Sequence, residues 1–489
     1  MRVPYNPQPG LSSTPILQVQ LNTNCRDEII PILKALQQIY GSPQLRQDIL
    51  DAVGEDVNGS SSAQRGRTGM EYWQILVLAA VRLGCNLDYD KLQDLAEQHR
   101  TLRQIMGIGS WDEHVQFDWR RIRDNIDLLR PETIKKINQL VVGEGHRLVP
   151  EAAESVRGDS FVVETTIHYP TDSSLIGDGL RKIIQIAFTL AVLVGGDGWR
   201  QRKHLLKTVR TLVWAVNKAS RSKGRNGPER LQAAYRPLFD LADKLMRRAR
   251  DLEKKATKVA KRDAAAAALH KELQHYLELT EKVCGYSRRR VLQGEHIENS
   301  EKIFSMFEPH TELIRRGKAA QENQFGHNAL VIEDAAGFVC DYQVMPNGAQ
   351  DRDGVVAAMA ELQERLGGKI RRASFDQGFH TTDNQKELAK IVAHPCVPIA
   401  GSNGQQQHEE ASVEFRQARQ NHPGIESAIG ALQAGNGLKR CRDRTKPGYD
   451  RYVGLGVLGR NLHVLGKIVL AQEDKDCEAA KSKRKRRSA

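Results

Sequence analysis

Three acidic residues stand where a divalent metal ion would find its ligands. Asp159 lies in an alternating, β-type run, Asp376 comes directly after an apolar run, and Glu426 opens an apolar helical face after Pro423-Gly424. Cutting a phosphodiester in line uses two Mg²⁺ ions about 3.5–4 Å apart, and Mg²⁺ prefers hard oxygen ligands. Three close carboxylates would repel one another without metal. The three acids are therefore candidates for one metal site.

Spacing alone leaves other acids open for two of these positions. Glu426 is favoured because Ile425 and Ile429 begin an apolar face beside it, so that its carboxylate can border a core. Asp376 is favoured because the chain must leave a sheet directly after it. The alternatives lie close by in the sequence, with Glu164 and Asp172 near Asp159 and with Glu409, Glu410 and Glu414 before Glu426.

The elements that must position these acids follow from hydrophobic periodicity. From residue 156 onward the pattern predicts a strand, a long helical insertion, a two-stranded hairpin, a helix, a strand, a helix, a strand and further helices. This order is typical of a ribonuclease-H-like α/β fold with a large α-helical insertion after its first strand. That fold carries acids on its first strand, at the end of its fourth strand and on a late helix, where Asp159, Asp376 and Glu426 lie.

Before the first strand, residues 68–148 are predicted to be all helical. Their short helices, joined by turns that contain glycine and ending in an arginine-rich helix at 112–129, favour a helix-turn-helix-like DNA-binding unit. The five predicted segments are an arm with helices at 1–67, the helical DNA-binding domain at 68–150, the catalytic domain at 151–195 and 301–470, a basic helical insertion at 196–300 and a disordered basic tail at 471–489.

Charge indicates a polyanionic partner. The net charge is +13, and between Trp199 and Arg262 twenty lysines and arginines face only five acids. Such an imbalance favours binding to the phosphate backbone of DNA over a merely solvated surface. Eight basic residues are candidates for DNA contact: Arg120, Arg121, Arg123, Arg315, Arg316, Lys318, Arg440 and Arg442.

Other patterns exclude several classes of protein. The seven cysteines stand singly, without a Cys-x-x-Cys pair, so neither a zinc module nor a disulfide framework is indicated. The longest apolar run, 183–195, is shorter than the ~20 residues that a membrane span needs. The N-terminus lacks the apolar segment of a signal peptide. We therefore expect a cytoplasmic protein in a reducing compartment, without a membrane partner.

Five stretches carry a resemblance to a known family. They are VRGDSFVVETTIHYPTDSSLIGDGLR, FEPHTELIRRGKAAQENQFGHNALVIEDAAGF, ASFDQGFHTTDNQKEL, HPGIESAIGALQAGNGLKRCRDR and GYDRYVGLGVLGRNLHVLG. Over about residues 68–467, outside the middle of the insertion, the chain resembles bacterial insertion-sequence DDE transposases of the ISNCY type. The combination of IHYPTDSS, Gly317-Lys318, the D-x-G-F-H motif and the late I-E-S helix is specific.

The resemblance implies a catalytic site. It assigns Asp159, Asp376 and Glu426 as the catalytic acids and metal ligands, ahead of Glu164 and Glu409. It implies two Mg²⁺ ions per site, with Mn²⁺ as a substitute. The activity that it implies is cleavage of transposon ends followed by transfer of their 3′-OH strands into target DNA. Arg416, Arg419 and Lys439 are candidates for the basic residues that related families carry beside the glutamate.

The resemblance also implies the partners. They are double-stranded DNA, as terminal inverted repeats and as target, and further copies of this chain, because a synaptic complex pairs two ends in a homodimer or a higher oligomer. The location would be the bacterial nucleoid.

Two other functions stay open: a ribonuclease-H-like nuclease without strand transfer, and a catalytically decayed protein that binds DNA ends.

Overall fold

The chain is a mixed α/β protein that divides into two compact units. Residues Met1–Glu164 and His327–Ala489 form the first, which we call the major unit, and Thr165–Gly326 form the second, the helical unit. The computed structural model describes residues 2–6, 12–59, 69–196, 198–221, 224, 226–315, 323–399 and 412–487, with backbone alone at 482–487. The predicted loop at 401–407 lies outside the described residues.

In the part of the chain that the structure describes, the major unit begins with seven α-helices, as the periodicity predicted. The break predicted at Gly41–Pro43 is confirmed between the first two. The arginine-rich helix is shorter than the predicted 112–129, because the side chain of Asp118 accepts hydrogen bonds from the N–H groups of Arg120 and Arg121 and caps a later start. The helices are α1 Ile29–Gly41, α2 Pro43–Asn58, α3 Tyr72–Gly84, α4 Tyr89–Gln98, α5 Arg100–Ile105, α6 Trp119–Ile126 and α7 Pro131–Leu148.

A sheet follows in the major unit. Its strands run in the spatial order β4-β3-β1-β5-β6, and β7 pairs with β1. Strands β3 and β4 form the predicted antiparallel hairpin, whereas β1, β5 and β6 are parallel. The strands are β1 Ser155–Thr165, β3 Gln324–Asp334, β4 Val339–Val344, β5 Arg372–Phe375, β6 His394–Cys396 and β7 Arg440–Cys441, while β2 Glu312–Ile314 belongs to the helical unit.

Five further helices follow among the described residues of the major unit: α12 Asp351–Arg365, α13 Thr382–Ile391, α14 Val413–Asn421, α15 Gly424–Ala434 and α16 Lys446–Arg487. The interruption predicted at His422–Gly424 is confirmed between α14 and α15. Helix α16 is longer than the predicted 452–470, and the tail expected to be disordered is helical to Arg487. The reason is that residues 471–487 are mostly Ala, Glu, Lys and Arg, which favour helix, and contain no Gly or Pro.

Helix α16 is the central helix of this unit, packed against α1, α3 and α7. Two glycines allow the close approach: a Cβ at Gly459 would lie 2.6 Å from Gly84 Cα, and one at Gly466 would lie 1.8 Å from Pro31 O. By length and composition α16 is the one helix among the described residues that could span a membrane. However, 72 % of its most apolar 18-residue segment is buried. Such burial is typical of a core helix.

The helical unit contains α8 Asp172–Val194, α9 Arg202–Ser220, α10 Gly227–Ala260 and α11 Ala264–Leu292. Helix α8 begins six residues before the predicted Asp178, because Thr171 and Ser174 form a capping box. Its buried face, with Leu180 and Ile183, belongs to one hydrophobic core with α10 and α11. The compact unit that contains these helices therefore runs from Thr165 to Gly326, whereas the insertion predicted from the sequence is 196–300.

One buried ion pair ties α3 to the loop before α16, and its removal gives a first prediction. Arg82, 1 % exposed, donates to both carboxylate oxygens of Asp443 at 2.9 and 2.5 Å. We expect Arg82→Met or Asp443→Asn to lower the free energy of unfolding by about 3–5 kcal/mol, because each leaves a buried charged or polar partner unsatisfied. Urea denaturation of the purified chain measures the change.

The matched control is Lys390→Met, which breaks the exposed Lys390–Glu387 pair. Its expected cost is about 0.5 kcal/mol or less, since exposed ion pairs contribute little. Equal costs at the two sites would contradict the importance given to the buried pair.

His463 on α16 gives a second prediction, on the pH dependence of stability. Burial, with Lys467 and Arg460 adding to it, lowers the pKa of His463 from 6.5 to about 4. Between these pH values the unfolded chain binds the extra proton, so this group makes the free energy of unfolding fall as the pH decreases. We expect His463→Gln to flatten that decrease between about pH 6.5 and pH 4 in denaturation curves. Replacing His296, 85 % exposed, should leave the profile unchanged.

Candidate active site

Two of the predicted acids lie side by side. Strands β1 and β5 pair in parallel with Gly158 opposite Phe375, and Asp159 and Asp376 are the next residue on each chain. Neighbouring strands are about 4.8 Å apart, so the two carboxylates are adjacent at the end of this ladder. Gly158 is required here, because a Cβ would lie 2.4 Å from the Phe375 ring. Both acids are partly exposed.

The helix that carries the third acid lies on the same face of the sheet. Arg157, two residues before Asp159 and hence on the same face of β1, donates to Asn421 O at 2.8 Å. Its guanidinium also lies where a Cβ of Gly424 would be, 2.1 Å from Nη1. Glu426 follows in the first turn of α15, with its side chain exposed. The sheet face with both aspartates therefore meets the helix start with the glutamate.

The guanidinium of Arg157 is held in place by an ion pair within the sheet. Its Nη2 lies 2.6 Å from Glu333 Oε2 on β3, and Arg460 Nη2 lies 3.5 Å from the other oxygen of Glu333. Burial raises the pKa of Glu333, and the two arginines oppose that increase. The ion pair therefore couples β1, β3 and the α14–α15 junction.

The carboxylates do not converge on a single point. Among the described residues, the one group of three possible metal ligands within 4.8 Å of one another is His146, Asp334 and Cys340. A two-ion site spreads its ligands over two centres about 3.5–4 Å apart, so its carboxylates need not meet in one small triangle. The donor set of Asp159, Asp376 and Glu426 is all hard oxygen, which fits Mg²⁺.

The His146 group is a structural clamp. Asp334 Oδ2 lies 2.7 Å from His146 Nε2 and 3.4 Å from Cys340 Sγ. Asp334 Oδ1 accepts from the N–H groups of Ala336 and Phe338 and so closes the β3–β4 turn. Burial raises the pKa of the Cys340 thiol well above its usual value, so the thiol stays protonated and donates. These contacts tie α7 to the hairpin.

His422 was not singled out from the sequence, yet it contacts the second acid. Its Nε2 lies 2.8 Å from Asp376 Oδ1 and its Nδ1 lies 3.0 Å from Ser374 Oγ. Burial lowers the pKa of His422, although Asp376 opposes that shift. A neutral imidazole here donates from Nε2 to the carboxylate and accepts the Ser374 hydroxyl at Nδ1. Arg419 Nη1 lies 3.8 Å from the same carboxylate oxygen.

A second network fixes the backbone at Asp159. Asp159 Oδ1 accepts from the N–H of Ser160 at 2.7 Å, and Ser160 Oγ donates to Asp351 at 2.6 Å. Asn328 on β3 also donates to Asp351, the first residue of α12. Asp351 is an acid that sequence reasoning missed, since it precedes a helix and resembles an ordinary helix-start residue.

The rival acids are engaged elsewhere or lie apart. Glu164 pairs with Arg440 at 2.8 Å. Asp172 pairs with Arg290 at 2.7 Å inside the helical unit. Glu414 lies in the first turn of α14. Glu409 and Glu410 lie outside the described residues.

The arginines proposed for DNA contact on α6 are on the surface. Arg120 and Arg121 are exposed. Arg123 pairs with Asp124 at 2.8 Å, and the guanidinium groups of Arg120 and Arg123 lie over the Trp119 ring. Helix α6 therefore presents a cationic face.

The remaining candidates differ in availability. Arg440 is 61 % exposed and contacts Glu164. Arg442 lies 2.6 Å from Asp88 and also donates to Asn86 and Tyr452. These three contacts give Arg442 a structural role. In the helical unit Arg315 is exposed and donates to Asn323 at 3.2 Å. Arg316 and Lys318 lie outside the described residues.

Comparison with known proteins adds no relative. No family model, no curated protein and no solved structure matches this chain. The function is therefore inferred from the residues and their geometry.

The His422 contacts give a third prediction. The N–H of a glutamine side chain reaches about as far as His Nε2, whereas that of asparagine reaches only as far as Nδ1. We expect His422→Gln to keep the contact to Asp376 and His422→Asn to lose it. Loss of a residue that orients a metal ligand costs about 10–100-fold in affinity. Titration of the chain with Mn²⁺ should show this weakening for His422→Asn and not for His422→Gln.

Equal affinities for the two variants would contradict the orienting role. Ser374→Ala is the further control, because it leaves the contact between His422 and Asp376 in place.

Proposed function

We propose that this chain is a DNA transposase of the DDE class, which cleaves transposon ends and joins their 3′-OH strands to target DNA. The observation that carries the proposal is the register of β1 and β5, which sets Asp159 beside Asp376 on the sheet face that meets the helix of Glu426. Adjacent carboxylates on rigid strands are the arrangement that a two-ion phosphodiester chemistry needs.

The strand order supports the finer description of the fold as ribonuclease-H-like. In the order β4-β3-β1-β5-β6, an antiparallel hairpin lies on one side of the first strand and two strands parallel to it lie on the other. The helical unit enters the chain directly after β1, where the sequence pattern placed the insertion. We accordingly propose a ribonuclease-H-like catalytic domain in the major unit.

The residues of the site have separate tasks in this mechanism. Asp159, Asp376 and Glu426 would hold two Mg²⁺ ions, or Mn²⁺ in their place. The bound ions supply Lewis-acid activation of the attacking oxygen and neutralise charge on the leaving oxygen. His422 donates to Asp376 and keeps its carboxylate oriented, and the Ser160–Asp351 contact holds the strand at Asp159. The same acids would serve cleavage by water and attack by the 3′-OH.

The charge distribution supports double-stranded DNA as the partner. Fourteen of the twenty basic residues between Trp199 and Arg262 lie on α9 and α10, together with the five acids of that stretch. We propose that these helices bind the phosphate backbone and that α6, with its exposed arginines, contacts the transposon ends. Pairing of two ends requires at least a homodimer. A bacterial cytoplasm, at the nucleoid, is the corresponding location.

The test is DNA processing by the catalytic variants. The substrate is a duplex that carries the sequences flanking the coding region in its native DNA, with Mg²⁺ present. We expect Asp159→Asn, Asp376→Asn and Glu426→Gln each to lower the cleavage rate by at least about 100-fold, the effect of removing one charge-stabilising group. Glu164→Gln and Glu414→Gln are matched controls and should cleave like the parent chain.

Strand transfer distinguishes a transposase from a nuclease that only cleaves. With pre-cleaved ends, strand transfer into a second duplex is expected for a transposase, whereas cleavage without a joined product would identify a nuclease. Unchanged cleavage by Asp376→Asn would rule out the metal mechanism, whereas binding of the duplex without any cleavage by the parent chain would identify a protein that only binds DNA ends.

A further inference from the structure

The helical unit contains a cavity that the proposed chemistry does not use. It has a volume of about 370 Å³ and is lined only by residues of this unit, from the start of α8, from α9, α10 and α11, and from β2 and the first part of β3. Pockets for small ligands begin at about 300 Å³ and combine apolar walls with a few polar groups. This cavity is therefore large enough for one nucleotide-sized molecule.

Aromatic rings form much of its wall. Tyr169, 70 % exposed, stands at right angles to Phe325 with 5.7 Å between ring centroids, and Phe304 lies 5.6 Å from Phe325 on the other side. Tyr235 and Tyr286 also line the cavity and are buried. A row of rings that begins at an exposed tyrosine offers faces and edges for a planar, aromatic ligand.

The charged groups of the wall favour an anion. Among the described residues of the wall, the charged side chains are three cations, Arg290, Lys302 and Arg315, and one carboxylate, Asp172. Arg290 Nη2 lies 2.7 Å from Asp172, which neutralises one of the three. Lys302 and Arg315 donate to the amide oxygens of asparagines, at 3.2 Å each, and these neutral partners leave both charges in place.

Neutral polar groups complete the cavity. Ser173, buried at the start of α8, donates to Asn217 Oδ1 on α9 at 2.8 Å. That contact leaves the Asn217 amide N–H groups as donors. Hydrogen-bonding groups of this kind read the edge of a base, whereas stacking on aromatic rings tolerates any base.

From these features we infer that the cavity binds a single nucleotide whose base is unpaired. The base would stack at Tyr169 and its phosphate would meet Lys302 and Arg315. A neutral sugar would gain little from the charges of Lys302 and Arg315, and an inorganic anion would gain nothing from the rings. The nucleotide can come from two sources, a free mononucleotide or an unpaired nucleotide of bound DNA. Only the second source rests on the proposed function.

The experiment is photocrosslinking with 5-iododeoxyuridine, which reacts with an aromatic side chain stacked on it. Three probes are irradiated with the full chain: the free 5′-monophosphate, a duplex with one unpaired 5-iododeoxyuridine at its end, and a duplex in which the same nucleotide is paired internally. Peptide mass spectrometry locates the crosslink. We expect it at Tyr169 or Phe325 with the unpaired end, and about tenfold less with the paired probe, because a paired base cannot offer its face to the rings.

Three variants test the assignment. Tyr169→Ala should lower the yield by about tenfold, the size of one lost base–aromatic stacking contact, whereas Tyr169→Phe keeps the ring and should keep the yield. Trp214, 60 % exposed on α9 and outside the cavity, is the matched control, and Trp214→Ala should change nothing. Because Tyr169 is exposed, its replacement should not unfold the chain.

The outcomes separate the two sources and the two proposals. A crosslink at Tyr169 that is stronger with the free monophosphate than with the unpaired end assigns a mononucleotide ligand. Equal yields from all three probes, or yields that do not depend on the Tyr169 ring, overturn the site. Asp376→Asn should leave the crosslink unchanged. Failure of that variant to affect DNA cleavage would count against the proposed function alone.

Discussion

The pairing of β1 with β5 is the constraint on which the candidate site depends. Parallel strands in register bring equivalent positions to the same edge, so an acid one residue past Gly158 and another one residue past Phe375 must be neighbours. The fit is close, because Gly158 leaves no room for a side chain against the Phe375 ring. The backbone hydrogen bonds of the strand pair thereby hold the two acids on neighbouring strands.

The helix of the third acid is attached to this pair by side chains. Arg157 bridges to the carbonyl of Asn421, and His422 bridges to Asp376. Pro423 and Gly424 then interrupt the helix and let the chain pass close over the guanidinium. Strand register alone would place two acids, and these polar contacts are needed to bring the third element to the same face.

Much of the fold could be predicted from the sequence, because it depends on local patterns. The α14–α15 interruption, the β3–β4 hairpin and the helical insertion carry Pro-Gly, Asp-Ala-Ala-Gly and charge signals that act over a few residues. The element ends that differed depend on side-chain caps, such as Asp118 on α6 and Thr171 on α8. A cap becomes evident only when the geometry of the side chain is known.

Far less could be predicted of the polar side chains that hold the acids in place. Ser374 stands two residues before Asp376, so its place on the same face follows from strand alternation. His422 is separated from Asp376 by 46 residues along the chain, Asp351 from Ser160 by 191, and Asn328 from Ser160, to which it donates at 3.3 Å, by 168. No local pattern identifies such pairs. The same holds for the extent of the helical unit, because α8 shares its core with helices that follow it by many residues.

The contact between His422 and Asp376 has a thermodynamic consequence. A ligand that prefers the oriented carboxylate must also favour the conformation in which His422 stays buried at the α14–α15 junction. By reciprocity, whatever steadies that junction raises the affinity of the carboxylate for its ligand by the same factor. Binding of a ligand to the acids and ordering of the backbone at the α14–α15 junction are thus coupled. Amide hydrogen exchange across the junction should therefore slow when the ligand binds.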